Sequence, residues 1–162
     1  MATNDIRINW DATPTDFATI INLNSLADGN IWQSGAIDDA EPSNQIVRIS
    51  YSLTFNVTPI SGDLLKFYIA TGDEAASSEI WPGGIGTSES EISTAAAIEK
   101  VQAALNPVRL HAWTTNLGTV FDGLFDVWFP TPSWQLLIEA SGEALAATGN
   151  TVRYRYGTPQ QQ

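Results

Sequence analysis

Between Gln45 and Val57 the sequence alternates: Val47, Ile49, Tyr51, Leu53, Phe55 and Val57 are apolar, and apart from Ile46 the residues between them are polar. A helix would scatter these six apolar residues round its circumference. A strand places them on one face, with Arg48, Ser50, Ser52, Thr54 and Asn56 on the other. The segment therefore predicts a long strand whose apolar face needs a second layer to cover it.

Shorter stretches repeat the pattern. Ile6, Ile8 and Trp10 form one set, Phe17, Thr19, Ile21 and Leu23 a second, and Leu65, Phe67 and Ile69 a third. Val108, Leu110 and Ala112 alternate with Arg109, His111 and Trp113, which are read as the outward set. Phe125, Val127 and Phe129 alternate with Leu124, Asp126 and Trp128, a segment apolar on both sides. Trp134, Leu136 and Ile138 lead through a turn at Ser141–Glu143 to Val152, Tyr154 and Tyr156, and residues 31–37 add a short strand.

Roughly seven to nine strands separated by turns rich in Pro, Gly, Asn and Asp predict an all-β fold, an antiparallel two-sheet sandwich, because one open sheet would leave an apolar face in water. One segment breaks the pattern: over 93–105, Ala97, Val101, Ala104 and Leu105 fall near helical spacing, and one short helix is expected there. The stretch from Gly72 to Ile92, which contains Trp81-Pro82-Gly83-Gly84, reads as a long polar connection. Residues 1–157 are expected to form a single β-sandwich domain, and 158–162, without an apolar anchor, a flexible tail.

Charge and composition narrow the function. Eighteen carboxylates against seven Lys and Arg give a formal charge of −11, which repels phosphate backbones and argues against nucleic acid as a partner. There is no cysteine, so disulfides, thiolate metal sites and a cysteine nucleophile are excluded. No window approaches the roughly 20 apolar residues of a membrane helix, and Met1 to Asp5 lack the character of a signal peptide, so no membrane association is expected.

No residue set nominates a catalytic site or a cofactor. The single histidine, His111, has no evident nucleophile or metal partner in the sequence and reads as structural. The acid pairs Asp122 with Asp126 and Glu139 with Glu143 have the residue types of a glycosidase, but 18 acids produce such pairs by chance. Asp38, Asp39 and Glu41, or Asp73 and Glu74, have calcium-binding side chains without a spaced loop motif. Gly83, Gly84 and Gly86 lack the lysine and following helix of a phosphate loop.

Six tryptophans point instead to recognition. Trp10 and Trp134 fall among apolar residues and are expected in the core, which leaves Trp32, Trp81, Trp113 and Trp128 available at the surface. Tryptophan anchors protein interfaces and also stacks on sugar rings, so both partner classes stay open. The candidate interface residues are Trp81 and Pro82 in the long loop, Trp113, the N-terminal arm Ala2, Thr3, Asn4 and Asp5, and the tail Gln160, Gln161 and Gln162.

The order of segments resembles a group of tailed-bacteriophage virion proteins. The resemblance rests on a strand ending in Trp10, on 19–27 (TIINLNSLA), on Gly35-Ala36-Ile37-Asp38-Asp39 before a long alternating strand, and on 142–150 (GEALAATGN) before the last strand. It departs from the group at Ala40-Glu41-Pro42 and in the helical character of 93–105. It implies a jelly-roll protein of the virion, a head decoration or cement protein on the outer capsid, with the major capsid protein as partner and a homotrimer as the assembled form. Synthesis in the host cytoplasm without a signal peptide goes with that expectation. A carbohydrate-binding module or a tail-associated receptor-binding sandwich, with Trp81 or Trp113 as stacking platform, is the alternative.

Overall fold

A computed structural model of the chain describes residues 6–17, 22–38, 46–72, 86–113, 118–128 and 133–161. The strands are β1 (Ile6–Trp10), β2 (Thr15–Asp16), β3 (Ile31–Gln33), β4 (Ile37–Asp38), β5 (Ile46–Thr54), β6 (Leu64–Gly72), β7 (Ser90–Ile92), β8 (Arg109–Ala112), β9 (Val120–Trp128), β10 (Ser133–Ser141) and β11 (Thr151–Gln161), with one helix, α1 (Ala95–Ala104), between β7 and β8.

They form two antiparallel sheets. The first has the order β1-β11-β5-β9, with β2 also on β11; the second has the order β7-β3-β10-β6-β8, with β4 also on β10. Setting aside the short strands β2, β4 and β7, successive strands fall into the orders first-eighth-third-sixth and second-seventh-fourth-fifth, the wrapping of a jelly roll. Every neighbouring pair joins strands distant in sequence except β6 and β8, which follow one another once the short strands are set aside, and the first sheet forms only when β1 and β11 meet.

The period of two places the core. Val47, Ile49, Tyr51 and Leu53 of β5 face Leu65 and Phe67 of β6 and Trp134, Leu136 and Ile138 of β10 in one buried cluster. The strand β10 is buried on both faces, because α1 lies over the outside of the second sheet. There Val101, with Ile98 and Leu105 beside it, packs on Ile31, Tyr68, Ala70 and Leu137. The helix thus falls within the 93–105 segment, presenting positions three and seven residues apart to the sheet.

Several expectations need correction. Residues Thr158–Gln161 are not a loose tail: β11 runs to Gln161 and pairs with β1, Ile6 opposite Gln161 and Arg7 opposite Gln160. The long strand ends at Thr54; Val57 lies beyond it and is exposed, since Asn56 and Val57 form a bend. Leu23 is buried but sits in a turn, not a strand, and Thr19 and Ile21 lie outside the described residues.

The β8 strand has its faces reversed relative to the sequence reading. His111 lies opposite the inward-facing Leu65 of β6, and Trp113 is buried, while Leu110 points outward and is exposed. Alternation gives a strand's period but not which phase is buried, and the two aromatic rings remove more apolar surface from water than Leu110 and Ala112 do. Trp32 is fully buried for another reason: β3 is covered on both faces, Ile31 under α1 and Trp32 in the core between the sheets. Phase ambiguity also misplaced Trp10, which is half-buried on the outside of the first sheet.

Candidate functional site

The outward face of the first sheet carries the candidate site. Its side chains come from the even-numbered residues of β5 and β9 and the odd-numbered residues of β11, the phase opposite the core. On β9, the edge of that sheet among the described residues, Val120, Leu124 and Trp128 are 54%, 58% and 58% exposed. They lie four residues apart on one face, a line of apolar groups roughly 27 Å long at about 3.4 Å per residue. Asp122 and Asp126 stand between them.

Register brings two tryptophans into one row. Trp10 lies opposite Gly157, Gly157 opposite Ile46, and Ile46 opposite Trp128, so the row crosses all four strands. A Cβ on Gly157 would come within 2.6 Å of Ile8 Cγ2 and 2.8 Å of the Trp10 ring, so the glycine is the gap into which those side chains lean. Ile46 is on the outward phase of β5 but only 1% exposed, flanked by Gly157 and Trp128.

The adjacent row is charged. Arg155, Arg48 and Asp126 stand side by side across β11, β5 and β9. Arg48 donates from Nε and Nη2 to the two carboxylate oxygens of Asp126 at 2.7 and 2.8 Å, and this forked hydrogen bond raises the guanidinium's pKa. Arg48 also lies over the Trp10 ring, Cζ 4.1 Å from its centroid, with Arg155 at 5.3 Å. Two neighbouring guanidinium groups are thereby held by one indole and one carboxylate. Arg155 makes no ion pair with a described residue. Arg153, two residues along the same face, pairs with Asp16.

Such a face combines exposed apolar area, a fixed aromatic ring and oriented N–H donors, the elements from which protein contacts draw most of their binding energy. Arginine, tryptophan and a hydrogen-bonded carboxylate on one sheet face equally suit a sugar ring.

The residues singled out from sequence are placed differently. Ala2, Thr3, Asn4, Asp5, Trp81, Pro82 and Gln162 lie outside the described residues, as do Asp39, Glu41, Asp73, Glu74, Gly83 and Gly84. Trp113 is 3% exposed, stacked edge-on with Phe55 and packed against His111 and Phe121, so it presents no ring to a partner. Gln160 is exposed on β11, beside Gln161, which pairs with Ile6.

Of the acid pairs, Asp126 is held by Arg48, while Glu139 is buried and bound by Lys66, Tyr68 and Gln102. The backbone carbonyl of Gly86 accepts hydrogen bonds from Gln33 and Gln135. Among the described residues no group of three or more His, Asp or Glu is arranged to hold a metal ion.

Sequence reasoning missed Trp10, Arg48 and Arg155 as a unit. The signal available was the odd-phase Arg153 and Arg155 opposite Tyr154 and Tyr156, which marks an outer face rich in guanidinium groups; their meeting with Trp10 depends on register between the chain's ends. No protein-family model matches this sequence, and no curated protein matches it.

Proposed function

We propose that this chain is a decoration, or cement, protein of a tailed-bacteriophage head, which binds the major capsid protein on the outer capsid surface and assembles there as a trimer. The observation that carries the reading is the outward face of the first sheet. An apolar line of Val120, Leu124 and Trp128 beside the Trp10–Arg48–Arg155 group forms an anchor on an otherwise acidic protein. The resemblance of the segment order to that of virion proteins and the jelly-roll strand order support it. Many copies engaged together on a lattice make weak individual contacts effectively tight.

Electron microscopy of heads made with and without the protein tests this reading. The expected result is jelly-roll-sized density on the outer surface that disappears with the protein, with heads less resistant to heat and chelation. Identical surface density and equal resistance would overturn it.

A carbohydrate-binding module is the second reading, and the exposed Trp128 ring beside Arg48 and Asp126 is the observation that favours it. Under that reading the stacking platform is Trp128 rather than the buried Trp113. Saturable binding on a glycan array that is lost in Trp128→Ala is its expected result.

A further inference from the structure

A cleft of about 440 Å³ opens where the two sheets part, lined from the first sheet by Asp16, Phe17 and Tyr154 and from the other side by Ile37, Ser88 and Glu89. Its size is that of a small-ligand pocket. The Phe17 and Tyr154 rings pack T-shaped at 5.2 Å. Glu89 is the most organised group in it. Its Oε1 accepts hydrogen bonds from the Asn22 backbone N–H at 2.8 Å and the Trp32 indole N–H at 2.7 Å, and its Oε2 accepts one from Asn22 Nδ2 at 2.7 Å.

Three N–H groups fix this carboxylate without neutralising it. Every Lys and Arg of the chain lies among the described residues, and none forms an ion pair with Glu89. Asp16, at the other wall, is already paired with Arg153. The cleft therefore offers one oriented negative charge, paired with no Lys or Arg, at apolar and aromatic walls. A hard divalent cation requires several oxygen ligands, and among the described residues no such group is gathered. An organic cation requires one carboxylate and an apolar wall, and aromatic faces add attraction for it.

We propose that this cleft binds an ammonium group carried on an aliphatic stem, the chemistry of a lysine side chain or a free alkylamine, with Glu89 as counter-ion and Phe17, Ile37 and Tyr154 as the wall for the stem. The net charge of −11 draws cations toward the protein. The site is built by residues other than those of the docking face, so it stands or falls separately from the capsid reading.

The Trp32 indole N–H, bonded to Glu89, is a built-in reporter for nuclear magnetic resonance titration of the full chain. Nα-acetyl-lysine methylamide is expected to shift that signal saturably, with affinity falling as salt is raised, while the norleucine analogue and methyl glucoside leave it in place. Glu89→Gln, which keeps one acceptor oxygen, is expected to weaken the response at least tenfold. Asp16→Asn, at an exposed position, tests the cleft without risk to the fold, with a few-fold weakening expected. Pentylamine binding as well as the lysine analogue would assign the site to free amines, and tighter binding of the lysine analogue would assign it to a protein side chain. No saturable shift, or an equal response to norleucine or to the sugar, overturns the proposal.

Discussion

The Tyr51 ring occupies the space that a side chain at Gly123 would fill. The two residues are direct partners across β5 and β9, and a Cβ on Gly123 would lie 2.3 Å from Tyr51 Oη and 2.5 Å from Cζ. The ring cannot step aside easily, because Phe67, Phe121 and Phe125 surround it at centroid distances of 4.6, 5.7 and 6.3 Å. Burial raises the phenol's pKa, which the nearby Arg109 guanidinium partly offsets. Gly123→Ala is therefore expected to destabilise the fold by about 1–3 kcal/mol through overpacking. In urea unfolding, the double variant Gly123→Ala with Tyr51→Leu should lose less than the sum of the single changes. Additive losses would mean that the ring moves freely.

Glu139 carries the second prediction. It is 3% exposed on the outside of the second sheet, where its Oε1 accepts from Lys66 Nζ at 2.6 Å and from Gln102 of α1 at 3.2 Å, and its Oε2 accepts from the Tyr68 hydroxyl at 2.6 Å. Burial, with the carboxylate beside it, pushes the Tyr68 phenol's pKa up. Glu139→Ala strands the Lys66 ammonium and the Tyr68 hydroxyl under the helix, with an expected loss of about 3–5 kcal/mol by chemical denaturation. Glu139→Leu combined with Lys66→Met removes both charges, and should recover most of that loss. A double variant as unstable as Glu139→Ala would place the cost in packing instead.

How much of this was legible in the sequence depends on what fixes each feature. The long strand, the helix and the two-layer arrangement follow from local periodicity, so Val47 to Leu53 and the 93–105 segment were readable. Which face of a strand is buried, or whether both are, depends on what packs against it, and so Trp113, Trp32 and Trp10 were each assigned to the wrong environment. The Trp10–Arg48–Arg155 group joins residues from three strands far apart in sequence, and Glu89 gains its role only through Asn22 and Trp32. Neither has a local signature. The pairing of Thr158–Gln161 with β1 is of the same kind: a polar terminal segment becomes strand because an edge is waiting for it.

His111 predicts a pH dependence. Its ring packs against Trp113 and Phe121 at 4.5 and 4.2 Å, and Nε2 is buried without a hydrogen-bond partner among the described residues. Desolvation, reinforced by the Arg109 charge, lowers its pKa below the usual 6.5. The folded state then binds fewer protons than the unfolded state just below that value, so stability falls as pH drops through about 6.5 and levels off below the folded pKa. Thermal unfolding between about pH 5 and 8 should show this decline, and His111→Phe should flatten the part due to this residue. A decline of unchanged size in the variant would assign it to the carboxylates.

The docking face gives the last prediction, and two variants separate contact from scaffold. Trp128 is 58% exposed, so Trp128→Ala should cost only about 1 kcal/mol of folding stability, through the part of the ring that packs on the sheet. If the ring is an interface anchor, the same change costs about 2 kcal/mol of binding, roughly 30-fold in affinity for heads. Gly157→Ala acts differently: its new Cβ competes with Ile8 and the Trp10 ring for one space, which shifts Trp10 away from Arg48 and Arg155. It should weaken binding while leaving Trp128 intact, because Arg155 then loses the indole that holds it, while Arg48 keeps only its bond to Asp126. Titration of both variants against heads lacking the protein, with unfolding curves in parallel, reads the two effects apart. Full binding by both would move the contact off this sheet.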